Sequence, residues 1–395
     1  MYAMTLLHKL LRHECPGMHQ QRLAALISGV DGLLTGHRLS IAGLGRSLNS
    51  PTRVKHNIKR MDRLAGNHHL HQELVSVYQA LSHRLLGGQL RPLILVDWSD
   101  AKNDRSLQLL RASVVNDGRS VTIYEEVHPL SLFDNRDVRQ RFLQRLRTCL
   151  PEGCRPIVIT DAGFRVSWYQ QIEALGWDWV SRVRGRSHIR LAGKSCWESV
   201  RVFYDKARLT PKTIGVAELT RNHAHQCHLV LVRQRKKGRM KKTMYGTSAA
   251  GTNSRANAAR QTEPWLLATS LNRVSAKKIS AMYRTRMQIE STFRDLKNSQ
   301  WGFQLRAHRS RCPKRLAVLV LIATLATFVA WLIGLAASKQ NIQREYQANT
   351  EKRRVLSVVY LGLQMMQRRD KRITRKHVHE AYHHFKQQLA TEATL

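Results

Sequence analysis

Residues 315–337 read RLAVLVLIATLATFVAWLIGLAA, with no charge after Arg315. No other stretch restricts the fold as strongly. A helix built from this run is apolar on every side, so it either crosses a bilayer or lies encased in the core of a large protein. Lys and Arg are dense on both flanks, so charge asymmetry selects no orientation in a membrane. Length nominates a span without establishing one, and we expect a buried core helix and no membrane. The rest of the chain must then surround it. With 395 residues, 43% of them hydrophobic, there is material for two or three domains with a sizeable core.

The charge balance points to a polyanion. Lys plus Arg number 66 against 27 for Asp plus Glu, a formal charge of +39, and the pI is near 11.0. The excess runs along the whole chain, and no acidic segment neutralises it. Nucleic acid is the first partner such a chain suggests, an anionic membrane surface the second. The cysteines Cys15, Cys149, Cys154, Cys196, Cys227 and Cys312 are scattered without a CxxC pair, which fits a reducing compartment and argues against a zinc ribbon. The opening MYAMTLLHKLLRHECPG has a short apolar run and no small-residue cleavage site, so no signal peptide is expected.

Residues 1–88 read as helical. LSIAGLGRSL is followed by NSPTRVKHNIKRMDRLAGN, in which Ser50 suits an N-cap, Pro51 a first helical residue and Gly66 a stop. The second helix presents Arg53, Lys55, His56, Lys59, Arg60 and Arg63. Two short helices joined by a turn, the second strongly basic, suggest a helix-turn-helix DNA-binding domain; the alternative is a solvated basic helix. The pattern then changes. RPLILVDWSD is an apolar strand ending in Asp97, and LQLLRASVVNDGRSVTIYEEV reads as a hairpin turning at Asp117-Gly118. An amphipathic helix (NRDVRQRFLQRLRTCL) precedes a second buried strand (RPIVITDAGF) ending in Asp161. A further helix stops at Gly176, and WDWVSRVRG is another strand. The order β-β-β-α-β-α-β implies a mixed sheet flanked by helices. Strand and loop follow over about residues 186–263, including a basic run around Gly238 that suggests a DNA-contacting hairpin tip. WLLATSL returns to a core strand, Ser275 caps a long helix, and a basic helical tail closes the chain beyond the apolar helix.

YRTRMQIESTFRDLK, residues 283–297, lies in that long helix. At about 100° per residue, Tyr283, Arg286, Glu290 and Lys297 share a stripe roughly 60° wide, beside an apolar stripe of Met282, Ile289, Phe293 and Leu296. By itself Arg286–Glu290 is an ordinary i, i+4 ion pair. With Asp97 and Asp161 at strand ends, Glu290 becomes the third carboxylate at an inner position. Hard divalent cations take such oxygen donors, and two of them can activate a nucleophile and stabilise a leaving oxygen in displacement at phosphorus.

VDWSD, VITDAGF and the spacing Y-x2-R-x3-E-x6-K together resemble the DDE transposases of bacterial insertion sequences, in the group with the Tyr-Arg-Glu-Lys signature. The resemblance covers nearly the whole chain. It implies an α/β RNase H-like catalytic core with a β-rich insert, plus helical N-terminal and C-terminal regions. It implies Asp97, Asp161 and Glu290 as ligands of two Mg²⁺ ions, with Mn²⁺ as a substitute, and Tyr283, Arg286 and Lys297 as contacts to the phosphates of the element's ends. An aromatic placed like Trp265 stacks in that family on a flipped base; a core tryptophan is the plainer reading. The implied activity is cut-and-paste transposition at terminal inverted repeats through a hairpin intermediate, by a homodimer on double-stranded DNA, in the bacterial cytoplasm.

We therefore expect a DNA-binding domain at 1–88, a catalytic core at 89–310 with its insert, and a helical region at 311–395 that contributes dimer contacts. A structure-selective nuclease of the same fold, and a DNA-binding protein on a decayed core, remain alternatives. HEAYH at 379–383 matches a zinc-protease pattern, but in a His-rich tail with no domain after it; HAHQCH at 223–228 offers no partner pair, so neither is read as a metal site. Asp100 and Asp104 lie near Asp97, and one of Glu125 and Glu126 is a candidate structural partner.

Overall fold

The computed structural model describes residues 2–185, 187–235, 251 and 263–393. The basic run around Gly238 and most of the polar loop after it lie outside them. The fold is mixed α/β, with strands flanked by helices, and the chain divides into two compact units, Met1–Cys154 with Met287–Thr394, and Arg155–Arg286.

The first unit opens with five helices, α1 (Tyr2–Glu14), α2 (Gln20–Gly36), α3 (Ile41–Ser47), α4 (Val54–Ala65) and α5 (His68–Leu86). An antiparallel sheet follows in the order β3-β2-β1, from β1 (Leu93–Asp100), β2 (Leu107–Val115) and β3 (Ser120–Pro129). The β2–β3 turn falls at Asp117-Gly118 as expected, with Gly118 at φ 68°. Helix α6 (Arg136–Cys149) is capped by Asn135, whose side chain accepts from the N–H groups of Asp137 and Val138.

The second unit holds β4 (Ile157–Thr160), α7 (Val166–Glu173), β5 (Asp178–Val183), β6 (His188–Leu191), β7 (Glu198–Ser199), β8 (Lys212–Leu219), β9 (His225–Val232), β10 (Trp265–Thr269) and α8 (Ala276–Arg284). Its sheet runs β4-β5-β10-β9-β8-β6-β7; β4 and β5 are parallel, and the other neighbouring pairs are antiparallel. The strands of the β-rich insert thus continue the sheet that β4 and β5 begin, because β10 pairs with β5 on one edge and β9 on the other.

The chain returns to the first unit through α9 (Met287–Lys297), α10 (Pro313–Lys339), α11 (Val358–Gln367) and α12 (Arg375–Ala393). Helix α10 carries the opening apolar run. It is the one described helix long and apolar enough to cross a membrane, and 89% of its most apolar window is buried inside the protein. It packs against α2, α11, α12 and β3, which together cover an all-round apolar surface. Gly334 and Gly362 make the α10–α11 approach so close that a Cβ at either would collide with the other helix's backbone. The basic tail forms two helices, and the chain between them turns at Arg369, which adopts φ 52°.

Three local expectations need correction. Asp97 does not end its strand; β1 continues to Asp100, with Asp97 opposite Arg111 and Asp100 opposite Gln108. Ser50 is not an N-cap and Pro51 is not helical. Ser50 Oγ accepts from the N–H of Thr52, a local turn, and α4 begins at Val54 after an Arg53 cap. Finally, the long helix after Ser275 is interrupted at Thr285–Arg286. There the N–H groups reach back three residues, Thr285 to Met282 O (3.1 Å) and Arg286 to Tyr283 O (3.2 Å), while Thr285 Oγ1 also donates to Met282 O (2.6 Å). Tyr283 lies on α8 and Glu290 and Lys297 on α9, so no single regular helix carries the stripe.

Candidate active site

In the first unit, one face of β1 meets α9. Lys297 Nζ donates to Ser99 Oγ at 2.7 Å. Strand side chains alternate, so Asp97 shares the face of Ser99. Burial pushes the Lys297 ammonium down to about 8, and the neighbouring Arg306 and Arg111 charges add to that, against the pull of Asp100 and Asp97. Both Lys297 (5.7 Å) and Arg111 (4.7 Å) lie over the Phe293 ring. Glu290 stands seven residues before Lys297, about 20° away around the helix, and is half-buried in the first turn, where the helix dipole favours a carboxylate. Helix α9 is fixed against the β2–β3 turn by Gln288 with the N–H of Asn116 (2.9 Å), Thr292 with the N–H of Ser120 (3.1 Å) and Asp295 with Arg119 (2.6 Å). Asp97, Glu290 and Lys297 therefore belong to one packed strand–helix pair. One carboxylate oxygen of Asp97 accepts the N–H of Trp98 at 2.8 Å.

In the second unit, Asp161 follows β4 directly. Its Oδ1 accepts the N–H of Gly163 at 2.8 Å, closing a tight turn. Ser181 Oγ holds the Asp161 carbonyl at 3.0 Å, and Tyr169 OH, stacked on Trp179 with ring centres 3.9 Å apart, lies 2.9 Å from Ser181 Oγ. Tyr283 is buried, and its phenol is pushed up to about 12, first by burial and also by Asp161, against Arg286 and Arg182, which favour the charged form. Asp161 and Arg286 thus each sit within electrostatic reach of Tyr283. Trp265 packs edge-to-face on Tyr283, ring centres 4.9 Å apart, with its own side chain half-buried. Burial lowers the Arg182 guanidinium, which is paired with Glu263 at 3.0 Å.

The three carboxylates are half-buried oxygen donors, the type a hard divalent cation takes. Among the described residues no group of three or more His, Cys, Asp or Glu is arranged as a metal site. Donor chemistry fits Mg²⁺ at each position, and Asp97 and Glu290 lie on facing elements of one unit. The other acids near Asp97 are engaged elsewhere: Asp100 accepts from Gln108 Nε2 (3.0 Å) and Asp104 from Ser106 Oγ (2.7 Å). His225 pairs with Glu173 at 3.2 Å, and His379 with His383 at 3.1 Å.

The basic helix α4 packs on α3 at Gly45, where a Cβ would lie 2.5 Å from Ile58 Cα; only glycine permits the crossing. Arg53, Lys55 and Lys59 are exposed. Arg60 is different: its guanidinium donates to Ser28 Oγ at 3.0 Å, tying α4 to α2.

Sequence reasoning missed Ser99 and Arg111, and left Glu125 unresolved. Glu125 is buried with Arg111 (2.6 Å), Tyr78 OH (3.0 Å) and Thr324 Oγ1 (2.5 Å). Arg111 stands opposite Glu125 only because of a bulge at Ala112/Ser113; counted from the turn, its partner is Tyr124. A basic residue inside an apolar strand was the available signal.

No curated protein matches the chain. A family model for the transposase DDE domain matches residues 88–329, and its match spans Asp97, Asp161, Trp265, Tyr283, Glu290 and Lys297. The mixed α/β architecture is that of an RNase H-like DDE core. On that match, over more than half of the sequence, the chain belongs to the transposase DDE-domain family, whose members are enzymes acting on DNA.

Proposed function

We propose that this protein is a cut-and-paste transposase that excises and integrates its own insertion sequence at terminal inverted repeats. The observation that supports this best is the pairing of β1 with α9, which sets a strand carboxylate, a helix carboxylate and a desolvated lysine in one unit of a family-matched core. Asp97, Asp161 and Glu290 would hold the divalent ions, Mg²⁺ or Mn²⁺. Bound there, the ions would supply charge neutralisation at the phosphate and activation of the attacking oxygen. Lys297, Tyr283 and Arg286 bind and orient the end phosphates, as charged and hydroxyl donors. Trp265 stacks on a base unpaired near the cleavage point. Arg53, Lys55 and Lys59 hold the end DNA, and a homodimer pairs two ends.

The first cut consumes water and frees a 3′-hydroxyl. That hydroxyl attacks the opposite strand, forming a hairpin and releasing the flanking DNA. A second water then hydrolyses the hairpin phosphodiester, which regenerates the 3′-hydroxyl that joins target DNA in the cytoplasm of the cell. The region at 1–88 serves end recognition, 89–310 catalysis, and 311–395 closes the fold and contributes dimer contacts.

The test uses purified protein, linear DNA bearing the element's end, and Mg²⁺. Hairpin and joined products are expected. Nicks alone would indicate a structure-selective nuclease instead. Asp97→Asn should abolish cleavage while end binding persists with a steep salt dependence. If that variant left every activity unchanged, the protein would be a DNA binder on a decayed core.

A further inference from the structure

Three charged side chains lie in one row across the first unit's sheet. Asp97 is the direct partner of Arg111 in the β1–β2 ladder, and Arg111 is the direct partner of Glu125 in the β2–β3 ladder. Directly opposed residues of antiparallel strands share a face, with Cβ atoms about 4.5–5.5 Å apart. That face is the one α9 covers: Phe293 lies under the Arg111 guanidinium, and Lys297 reaches Ser99, two residues beyond Asp97. One arginine therefore stands, in strand order, between two acidic residues.

It is committed to Glu125. Arg111 Nε (2.7 Å) and Nη2 (2.6 Å) both donate to Glu125 Oε2, and the two side chains are 3% and 1% exposed. Glu125 is held in turn from two other elements, since Oε1 accepts from Tyr78 OH on α5 (3.0 Å) and from Thr324 Oγ1 on α10 (2.5 Å). Stability alone does not call for such a pair, because apolar side chains of similar volume often pack as well or better.

We propose that Glu125 is a positioning residue for Asp97: it captures Arg111 and so keeps that guanidinium from closing on the Asp97 carboxylate. The inference rests on the reading of Asp97 as a metal ligand. A guanidinium and a divalent cation compete for the same carboxylate oxygens. With Glu125 neutral, the buried Arg111 charge needs another acid, and Asp97 is its neighbour in the next strand.

The test titrates Mn²⁺ alone into the full-length chain without DNA, following free Mn²⁺ by electron paramagnetic resonance. Glu125→Gln should weaken Mn²⁺ binding at least about tenfold, the usual scale for residues that orient a metal's ligands. Adding Arg111→Met removes the competitor, so the double variant should return to within about threefold of wild type. Thr324→Val, which loosens Glu125 without removing its charge, should weaken binding about two- to threefold and serves where Glu125→Gln fails to fold by thermal melting. The proposal is overturned if folded Glu125→Gln binds Mn²⁺ like wild type, or if the double variant is as weak as the single. Where Glu125→Gln does not fold, wild-type affinity in Thr324→Val overturns it. Asp97→Asn separates the two readings. Unchanged Mn²⁺ binding in that variant refutes Asp97 as a ligand, whereas loss there with none in Glu125→Gln refutes only the role of Glu125.

Discussion

Lys297 and Tyr283, both proposed as contacts to DNA phosphates, are withdrawn from water, one in each unit. Burial acts on them in opposite directions. It destabilises the charged ammonium of Lys297, bringing its proton affinity down to about 8, and it destabilises the phenolate of Tyr283, raising that group to about 12. Near neutral pH the first is a cation close to its titration point and the second a neutral hydroxyl far from its own. One physical cause thus yields a pH-sensitive group in the strand–helix pair of the first unit and a pH-silent one beside Asp161. Mutations and pH can test whether the two sets differ in that way alone.

The largest effects should be shared. Asp161→Asn in one unit and Glu290→Gln in the other should each lower end cleavage on the order of a thousandfold or more, with binding of end DNA retained. Equal losses would mean that both sets serve one reaction. If either variant keeps more than about a tenth of wild-type cleavage, its carboxylate is not a ligand, and the comparison becomes one between a catalytic unit and a binding unit.

The pH dependence should divide them. Lys297 is protonated below about 8 and neutral above, whereas an ordinary lysine holds its proton to about 10.5. A bound phosphate favours the ammonium, so binding above pH 8 takes up a proton and log K for end DNA falls by up to about one per pH unit. Measured by fluorescence anisotropy at constant ionic strength, with divalent ions removed by EDTA, wild-type affinity should drop about tenfold from pH 7 to pH 9. Lys297→Arg should flatten the profile, since arginine keeps its charge across this range. Tyr283→Phe should weaken binding a few-fold at every pH and leave the slope alone. A flat wild-type profile would mean that Lys297 makes no phosphate contact.

Much of this arrangement was legible from residues alone, and the failures have local causes. The apolar run of α10 demanded burial, and it is buried. The hairpin turn at Asp117-Gly118 followed from a glycine able to adopt positive φ. Asp97 was placed at a strand end because apolarity stops there, but ladder hydrogen bonds do not require apolar side chains, and pairing continues to Asp100. The bulge at Ala112/Ser113 leaves no mark in composition, yet it sets Arg111 opposite Glu125. The interruption at Thr285 depends on a side chain competing for the Met282 carbonyl, which helical periodicity does not register. What the pattern did not carry is the register that sets Arg111 opposite both Asp97 and Glu125.

The smallest effect separates neighbours on α4 by the same criterion of exposure. Arg53, Lys55 and Lys59 are exposed, while Arg60 is half-buried and donates to Ser28 on α2. A phosphate contact releases counterions, so alanine at each of the first three positions should reduce the slope of log K against log salt by about 0.9. Arg60→Ala should leave that slope unchanged and instead lower the melting temperature, through loss of one hydrogen bond worth about 0.5–1.5 kcal/mol. A reduced slope for Arg60→Ala would place its guanidinium on DNA despite the Ser28 contact, and exposure would then fail to sort binding cations from structural ones on this helix.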